Sequence, residues 1–464
     1  MRLPTLSAVA TGATCLAIAA ALPAGATAPS HHHRPHHKPA RPTATTFAAG
    51  QLQASKVGSS GCGTNQAVEP SIHVNRDGLV ALASENGLGN GSEFWSARQI
   101  GGTTAASACA LTYDGQPNAF SHFGASGGDV DVAIAPVRDP ATNHFRIYTA
   151  SLNLASVNVA TSVDDGKSWS QVPVVEGIPV DDREWIAAYG DSTALLSYTD
   201  IVTGNIDVLR SDDGGQSFIE QSQAINDNST SSQIGNLVID HRNASPKPGG
   251  FWAYQSYVAQ SSPDSKNLDE AFLAVSQDGG ASWVDQPIPC TKAFGANGLD
   301  HNFPNVSVAP DGTLFYTVSN DKAVYVAMSK DHGTTWTCSS PVSSTSKAIF
   351  PWIVATSAGE DLVYYGASGG GANQIWSAYF AQNLTESVTG WSTKQVVTVH
   401  KGPVCESGIS CNDGRQLFDD FGVDTDPQGW AHIAYSHDSP DLGGSGTYTG
   451  YAVQTGGRPV GYPN

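Results

Sequence analysis

Two short segments of this 464-residue chain combine carboxylates with an arginine. The first contains Asp182, Arg183 and Glu184, and the second contains Arg415, Asp419 and Asp420. The rigid guanidinium fork of arginine binds carboxylates and polar ligands through paired hydrogen bonds. A carboxylate in a partly buried cleft has a raised pKa and can act as a general acid. We therefore expect the three aspartates to be catalytic and the two arginines, with Glu184, to bind substrate.

The same residues have a structural interpretation, in which buried ion pairs tie neighbouring elements together. Asp300 and His301 form a further candidate acid–base pair for the substrate site, although a hydrogen bond between neighbouring repeats would explain them as well. Trp185 and Trp352 offer flat rings that could stack against a sugar, or could pack in the core. Both interpretations stay open until the residues are placed in the fold.

A repeated pattern shows which elements must position these residues. Four segments read S-x-D-x-G-x-[S/T]-[W/F], and they start at Ser162, Ser211, Ser276 and Ser329. The starts are 49, 65 and 53 residues apart, which is near the length of one four-stranded propeller blade. In such a pattern the Asp accepts hydrogen bonds across a tight turn, the Gly supplies a positive φ, and the aromatic ring anchors the hairpin. The pattern therefore predicts four turns that stabilise blades and take no part in chemistry.

This pattern resembles the Asp box, or BNR repeat, of the sialidase superfamily of β-propellers. The four full copies span residues 162–336, and a weaker blade rhythm covers about residues 69–457. The resemblance implies a secreted sialidase-like glycoside hydrolase that acts on extracellular glycans. Propellers with this repeat also include non-enzymatic receptors, so the alternative is a non-catalytic propeller that binds a glycan or a protein.

Seven segments have a polar or aromatic cluster followed by an apolar strand, and they predict the openings of seven blades. They are residues 69–78, 129–136, 181–188, 233–240, 300–312, 350–355 and 419–429. We therefore expect an all-β propeller of seven four-stranded blades, or six if one opening is an irregular insert. The first strand of each blade lines the central channel, so the starts of these segments converge at the channel mouth. A strand near residues 47–57 is expected to close the ring.

The resemblance also implies a set of catalytic groups, which this chain matches only in part. The family holds a substrate carboxylate with three arginines and uses a tyrosine–glutamate nucleophile pair with an aspartate acid. Arg183 and Arg415 could be two of the arginines, and Tyr435 or Tyr448 could be the tyrosine. A third arginine is not evident, and the family's Phe-Arg-Ile-Pro segment is absent from the sequence. These departures keep the non-catalytic alternative open.

The amino terminus predicts export. An apolar stretch after Arg2 is followed by small residues with an A-x-A pattern, so residues 1–28 are expected to be a signal peptide. Residues 29–46 are rich in His and Pro, and we expect a disordered spacer, with metal capture by the histidines as the alternative. Residues 47–464 then form one propeller domain, secreted to the extracellular space and without a membrane anchor.

Net charge limits the classes of partner that the chain can have, and the cysteine content predicts its disulfides. The formal net charge of −19 argues against nucleic acid and anionic membranes, which leaves an extracellular glycan or glycoconjugate as the expected partner of a monomer. Six cysteines follow the signal, and we expect the pairs Cys62–Cys109, Cys290–Cys338 and Cys405–Cys411. No spacing of His and Cys predicts a zinc site, and no metal or cofactor is predicted. Asp-rich turns such as Asp424 to Asp426 lack the spacing of an EF-hand, so a bound calcium ion stays open.

Overall fold

The structure is a computed structural model. It describes residues 44–57, 61–62, 65–87, 89–98, 111–118, 127–153, 156–174, 181–225, 232–242, 245–296, 298–299, 303–406, 411–412, 415–419, 421–438 and 446–461. All of these residues belong to one compact unit. The predicted signal peptide lies outside the described residues, as does the spacer up to residue 43. No helix within the described ranges has the length and apolar character needed to cross a membrane.

The described chain is built almost entirely of β-strands, with two short 3-10 helices at Pro289–Ala293 and Gly371–Asn373. In chain order the strands are β1 Thr46–Gln51, β2 Val68–Val74, β3 Leu79–Glu85, β4 Glu93–Arg98, β5 Thr112–Gly115, β6 Val130–Arg138, β7 Phe145–Leu152, β8 Val157–Ser162, β9 Ser170–Val174, β10 Asp181–Tyr189, β11 Thr193–Asp200, β12 Ile206–Ser211, β13 Ile219–Ile225, β14 Ser232–Ile239, β15 Ala253–Ala259, β16 Glu270–Ser276, β17 Val284–Pro287, β18 Asn305–Val308, β19 Leu314–Ser319, β20 Val324–Ser329, β21 Thr337–Cys338, β22 Lys347–Thr356, β23 Gly359–Ser368, β24 Ile375–Asn383, β25 Ser392–Lys401, β26 Gly422–Thr425, β27 Ala431–His437 and β28 Tyr448–Gly456.

These strands form seven four-stranded antiparallel sheets, which confirms the predicted seven-bladed propeller. Six blades consist of four consecutive strands, from β2–β5 in blade 1 to β22–β25 in blade 6. Blade 7 has the order β1-β28-β27-β26, so the strand at Thr46–Gln51 pairs with the last strand of the chain. The ring is thus closed by joining the two ends of the domain, as the sequence predicted.

The first strands of the seven blades are adjacent around the central channel and are held together by side-chain hydrogen bonds. A polar side chain on one inner strand accepts a hydrogen bond from a backbone N–H of the next, at 2.6–3.3 Å. Such bonds join Val74 to Asp424, Val132 to Ser71, Ile186 to Asp131, Val306 to Asn236, and Ile353 to Asn305. Because these acceptors replace water for buried N–H groups, they fix the register of neighbouring blades.

Strand direction places the repeated turns at the opposite end of the blades from the starts of the inner strands. We call the end at which the inner strands begin the mouth. In an antiparallel blade the second strand returns to the mouth and the third leaves it again, so the turn between the third and fourth strands lies far from it. All four repeated turns occupy this position, between β8 and β9, β12 and β13, β16 and β17, and β20 and β21.

The four turns share one hydrogen-bonding arrangement. The Asp at the third position accepts a backbone N–H four residues later, at 2.8–3.0 Å, and a side-chain hydroxyl at 2.6 Å. The first Ser hydroxyl accepts the N–H of the Gly at 2.9 Å. That glycine has a positive φ, and a Cβ on Gly166 would lie only 2.6 Å from the Phe94 ring. The contacts predicted for the Asp and Gly of this pattern are therefore present.

Replacing the turn aspartate should affect stability alone. Asp278→Ala removes acceptors for the Ser282 N–H and hydroxyl, which should lower the free energy of unfolding by about 1–3 kcal/mol. Urea denaturation measures this, with Asp264→Ala on an exposed loop as the matched control. Loss of ligand binding or turnover in Asp278→Ala at unchanged stability would mean that this turn belongs to the functional site.

Two of the predicted disulfides are present. Cys290–Cys338 joins the segment after β17 to β21 in the next blade, and Cys405–Cys411 closes a short loop between β25 and β26. Cys62 is also disulfide-bonded, while its expected partner Cys109 lies outside the described residues.

Candidate functional site

The central channel holds a cavity of about 190 Å³ that all seven inner strands line. Its wall is mostly aliphatic, with Trp185 and Trp352 among the lining residues. The two indole rings lie 5.5 Å apart, and Phe303 packs edge-on against Trp185 at 6.2 Å. These three side chains form an aromatic layer across the channel, contributed by the inner strands of blades 3 and 6 and by the segment before β18.

Irregular backbone at the start of several inner strands shapes the mouth. The ladder with the second strand shifts register between Val68 and Ser71 in β2, and equivalent shifts occur in β10, β14 and β22. Three of these bulges contain a non-glycine residue at positive φ, namely Glu69 at 46°, Arg183 at 49° and Phe350 at 52°. Such a conformation costs of order 1 kcal/mol or more, and it persists where the surroundings enforce it. Bulges change the direction of side chains, and here they occur at the mouth end of the inner strand in four blades.

Arg183 lies in the bulge of β10 and is almost wholly buried, with 2% of its side chain exposed. Its Nη1 is 3.9 Å from Oδ2 of Asp129, which precedes the inner strand of blade 2. The guanidinium carbon stands 4.0 Å above the Trp185 ring and 4.9 Å from the centre of the Phe303 ring. Arg183 therefore covers the aromatic layer on the mouth side and joins blades 2 and 3.

Arg415 makes the second arginine–carboxylate group at the mouth. Its Nη2 donates to Oε1 of Glu69 at 2.7 Å and also pairs with Asp419 four residues later. Its guanidinium lies 4.7 Å from the centre of the Phe418 ring, and Phe418 itself has a positive φ of 59°. Arg415 keeps 18% of its side chain exposed, whereas Glu69 is fully buried. The segment before blade 7 is thus tied to blade 1.

The carboxylates around these arginines form one electrostatically linked cluster, which we call the mouth cluster: Glu69, Glu85, Asp129, Asp182, Glu184 and Asp419, with Arg183 and Arg415. Burial raises the pKa of Glu69, and the negative charges of Glu85, Asp419 and Asp129 raise it further. Burial likewise raises the pKa values of Glu85, Glu184 and Asp419. Several members of the cluster are therefore candidates to carry a proton near neutral pH.

Asp182 is the member best placed to exchange a proton with a ligand. Its side chain is exposed, although its neighbours Asp181 and Arg183 in β10 are buried. Desolvation by the residues around the mouth is the main cause that raises the pKa of Asp182 to about 6, and repulsion from the negative charge of Asp129 is the second cause. A carboxyl with this pKa is partly protonated at pH 6–7, so Asp182 can give a proton and take it back.

Five of the sequence-predicted site residues come together in this cluster: Asp182, Arg183, Glu184, Arg415 and Asp419. Asp420, Asp300 and His301 lie outside the described residues. Trp185 is 1% exposed and Arg183 covers its ring, so it has no free face for a sugar and belongs to the core. Trp352 is partly buried in the same aromatic layer. The burial of Trp185 favours its interpretation as a core residue, whereas Trp352 is only half-buried and lines the channel cavity, so stacking of its ring on a substrate stays a prediction.

Three members of the mouth cluster were not identified as site residues from the sequence. Glu69 and Asp129 lie at the start of the inner strands of blades 1 and 2, and this position could have identified them as candidate site residues. Glu85 ends β3, the second strand of blade 1, directly opposite Val68. Only the pairing of β2 with β3 brings it to the mouth, and no local pattern indicates this.

A second buried acid pair lies at the other end of blade 6. Glu360 and Asp361 lie at the start of β23, and both are fully buried. Burial, with the nearby charges of Glu386 and Asp361, raises the pKa of Glu360 to about 9. Because β22 runs away from the mouth, the β22–β23 turn is remote from the mouth cluster.

This raised pKa predicts a pH-dependent stability. Between the usual glutamate range and about pH 9 the folded chain keeps a proton at Glu360 that the unfolded chain has lost, so stability should fall as pH rises, by up to about 1.4 kcal/mol per unit. Glu360→Gln should flatten this slope, because a neutral amide does not titrate. Urea denaturation at pH 6, 7 and 8 measures it, and equal slopes for both proteins would contradict the assignment.

No protein-family model matches the chain, and neither does any curated protein. Among solved structures, a GH74 enzyme of Niastella koreensis is similar with a TM-score of 0.52 at 15% identity, over 87% of this chain and 53% of that one. An α-L-arabinanase of Penicillium chrysogenum has a TM-score of 0.45 at 12% identity, over 70% and 94%. A Hadza microbial sialidase has a TM-score of 0.42 at 13% identity, over 81% and 75%. The last two scores support no conclusion, and the first supports the propeller fold alone.

Fold and site together define the class of this chain. It is a seven-bladed β-propeller whose channel mouth gathers carboxylates of raised pKa and two arginines above an aromatic layer. Such an arrangement can transfer protons to and from a polar ligand at the mouth.

Proposed function

We propose that this chain is an exported glycoside hydrolase that binds a neutral glycan at the channel mouth and cleaves it with Asp182 as the general acid. The supporting observation is the combination of exposure and raised pKa at Asp182, inside a cluster of carboxylates drawn from blades 1, 2 and 3 and the segment before blade 7. Protonation of a glycosidic oxygen needs a carboxyl that still holds its proton near working pH.

Asp419 is the partner carboxylate in this proposal. Its side chain is 31% exposed and is ion-paired with Arg415, which holds it at the mouth. Glycoside hydrolases use two carboxyl groups, one to protonate the leaving oxygen and one to act as base or nucleophile. Asp182 and Asp419 influence one another's environment, since the charge of Asp419 contributes to the raised pKa of Asp182. In this proposal Asp182 protonates the leaving oxygen, and Asp419, which Arg415 holds as a carboxylate partner, acts as base or nucleophile.

The mouth suits a neutral sugar better than the carboxylate of a sialoside. Arg183 and Arg415 already bind Asp129, Glu69 and Asp419, so a substrate carboxylate would have to displace a protein carboxylate. The surrounding acids would also repel it. The proposed activity therefore keeps the glycan hydrolysis implied by the repeat but takes a neutral sugar, not a sialoside, as its substrate.

A non-catalytic propeller that binds a glycan or a protein is the second candidate. One observation favours it: Arg183 is buried against Trp185 and Phe303 and joins blades, which is also how a purely structural ion pair is built. In that case the raised pKa values would be a consequence of burial without a catalytic purpose.

A hydrolysis screen of the purified mature protein separates the two candidates. The panel is a set of neutral fluorogenic hexosides and pentosides, together with a uronide and a sialoside. The proposal expects turnover of at least one neutral glycoside and none of the sialoside, with Asp182→Asn as the inactive control. Turnover confined to the sialoside would reinstate the sialidase interpretation, and glycan binding without turnover of any member would favour the binding module.

A further inference from the structure

Three carboxylates of the mouth cluster converge on one point. They are Glu69 in the bulge of β2, Glu85 at the end of β3 and Asp129 directly before β6. One oxygen from each lies within 4.8 Å of the others, and no other such group of three His, Cys, Asp or Glu side chains occurs among the described residues. Glu69 and Glu85 come from adjacent strands of blade 1, whereas Asp129 reaches them from blade 2.

Two of these carboxylates also have a buried oxygen that nothing in the described chain satisfies. Oε2 of Glu69 and Oε2 of Glu85 are inaccessible to solvent and have no hydrogen-bond partner among the described residues. The side chains are 0% and 8% exposed, and Glu69 uses its other oxygen for Arg415. A buried carboxylate oxygen without a partner is strongly unfavourable, and either a proton shared between Glu69 and Glu85 or a bound cation relieves it, which the titration below distinguishes.

We propose that Glu69, Glu85 and Asp129 bind a calcium ion at the mouth. The donors are all carboxylate oxygens, which hard divalent cations prefer. Calcium–oxygen distances of about 2.3–2.6 Å let three oxygens that lie within 4.8 Å of one another all reach one ion. Calcium also tolerates irregular coordination, whereas Mg²⁺ demands near-ideal octahedral geometry and gives up its water reluctantly. The sequence alone predicted no metal ligands and left a bound calcium ion open.

The local charge balance leaves room for a dication. Arg415 is bonded to Glu69, and Arg183 lies 3.9 Å from Asp129, so two positive charges already border the site. Against them stand the three ligand carboxylates together with Asp182, Glu184 and Asp419 nearby. Asp129 is 18% exposed, so the site has a side open to the mouth, where water can complete the coordination shell.

The test is isothermal titration of CaCl₂ into the EDTA-treated mature protein, with thermal unfolding alongside. The proposal expects one saturable site, weaker binding of MgCl₂, and a melting temperature raised by about 2–5 °C at a hundredfold excess over Kd. The histidines of the amino-terminal segment do not compete, because imidazole favours transition metals over calcium. Absence of saturable calcium binding to the wild-type protein would overturn the proposal.

Variants of the ligand residues test where the calcium ion binds. Glu85→Gln and Asp129→Asn should each weaken calcium binding at least tenfold, because each removes a charged ligand. Glu360→Gln is the matched control, since it makes the same change at a buried glutamate remote from the mouth, and it should bind calcium as the wild type does. Circular dichroism verifies folding of each variant. Unchanged affinity in a folded ligand variant would overturn the proposal, and so would equal losses in Glu360→Gln.

The calcium site does not rest on the proposed hydrolase activity. Calorimetry reads binding directly, so a protein that binds calcium at these residues and hydrolyses nothing would support this inference while contradicting the hydrolase. Hydrolysis without saturable calcium binding would support the hydrolase and contradict the calcium site.

Discussion

Replacing Asp182 with asparagine is expected to lower kcat/KM for a neutral glycoside about 10²–10⁴-fold, the usual contribution of a general acid. The loss should depend on the leaving group. It should be large for an alkyl glycoside, whose departing oxygen needs a proton, and small for a dinitrophenyl glycoside, whose departing oxygen does not. Stability should not fall, because the folded chain already disfavours the charged form of Asp182.

Asp207→Asn is the matched control for this experiment. Asp207 belongs to the same blade, is buried and has a pKa raised by burial, but it lies on β12 and is not in the mouth cluster. We expect it to keep the wild-type kcat/KM for both glycosides. An equal loss for both leaving groups in Asp182→Asn would show that Asp182 positions the substrate and does not protonate it.

Removing the charge of Arg415 should produce the largest loss of stability. In calcium-free buffer Arg415→Met leaves Glu69 fully buried without a cation and releases Asp419, so the free energy of unfolding should fall by about 3 kcal/mol. Arg415→Lys should lose less, because a lysine keeps the charge but cannot form the guanidinium fork. Urea denaturation measures both, and Arg458→Met at an exposed position controls for the change in net charge.

The same variants decide whether Arg415 bridges blades or grips a ligand. If it bridges, the loss of stability should appear without any ligand, and the folded fraction of Arg415→Lys should bind glycan with nearly wild-type affinity. If stability stays within about 0.5 kcal/mol of the wild type while ligand affinity falls, the arginine is a ligand-binding residue, and the structural account of the mouth is wrong.

Much of the propeller was predictable from local patterns. The repeated turns place an Asp, a Gly and an aromatic residue at fixed offsets, and their spacing reports the blade length directly. The inner strands were predictable because each follows a polar cluster, and closure by the strand at Thr46–Gln51 follows from joining the two ends of the ring. Asp182, Arg183, Arg415 and Asp419 could be selected because they lie at or just before such strand starts.

The remaining features of the mouth depend on tertiary contacts that no local pattern reports. Glu85 reaches the cluster only through the pairing of β2 with β3. The bulges hold Glu69 and Phe350 at positive φ, where sequence reasoning would expect glycine or asparagine. The sequence left open whether Trp185 stacks on a sugar or packs in the core, and it is buried because Arg183, Trp352 and Phe303 pack against its ring.

The pH dependence of kcat/KM for a neutral alkyl glycoside tests the central claim most directly. If Asp182 is the general acid, the rate in calcium-free buffer should fall as pH rises through about 6, because only the protonated form can donate, and Asp182→Asn should lose this limb of the profile. A wild-type rate that stays constant from about pH 5 to pH 8, or an unchanged limb in Asp182→Asn, would contradict the assignment of Asp182 as the acid of this site.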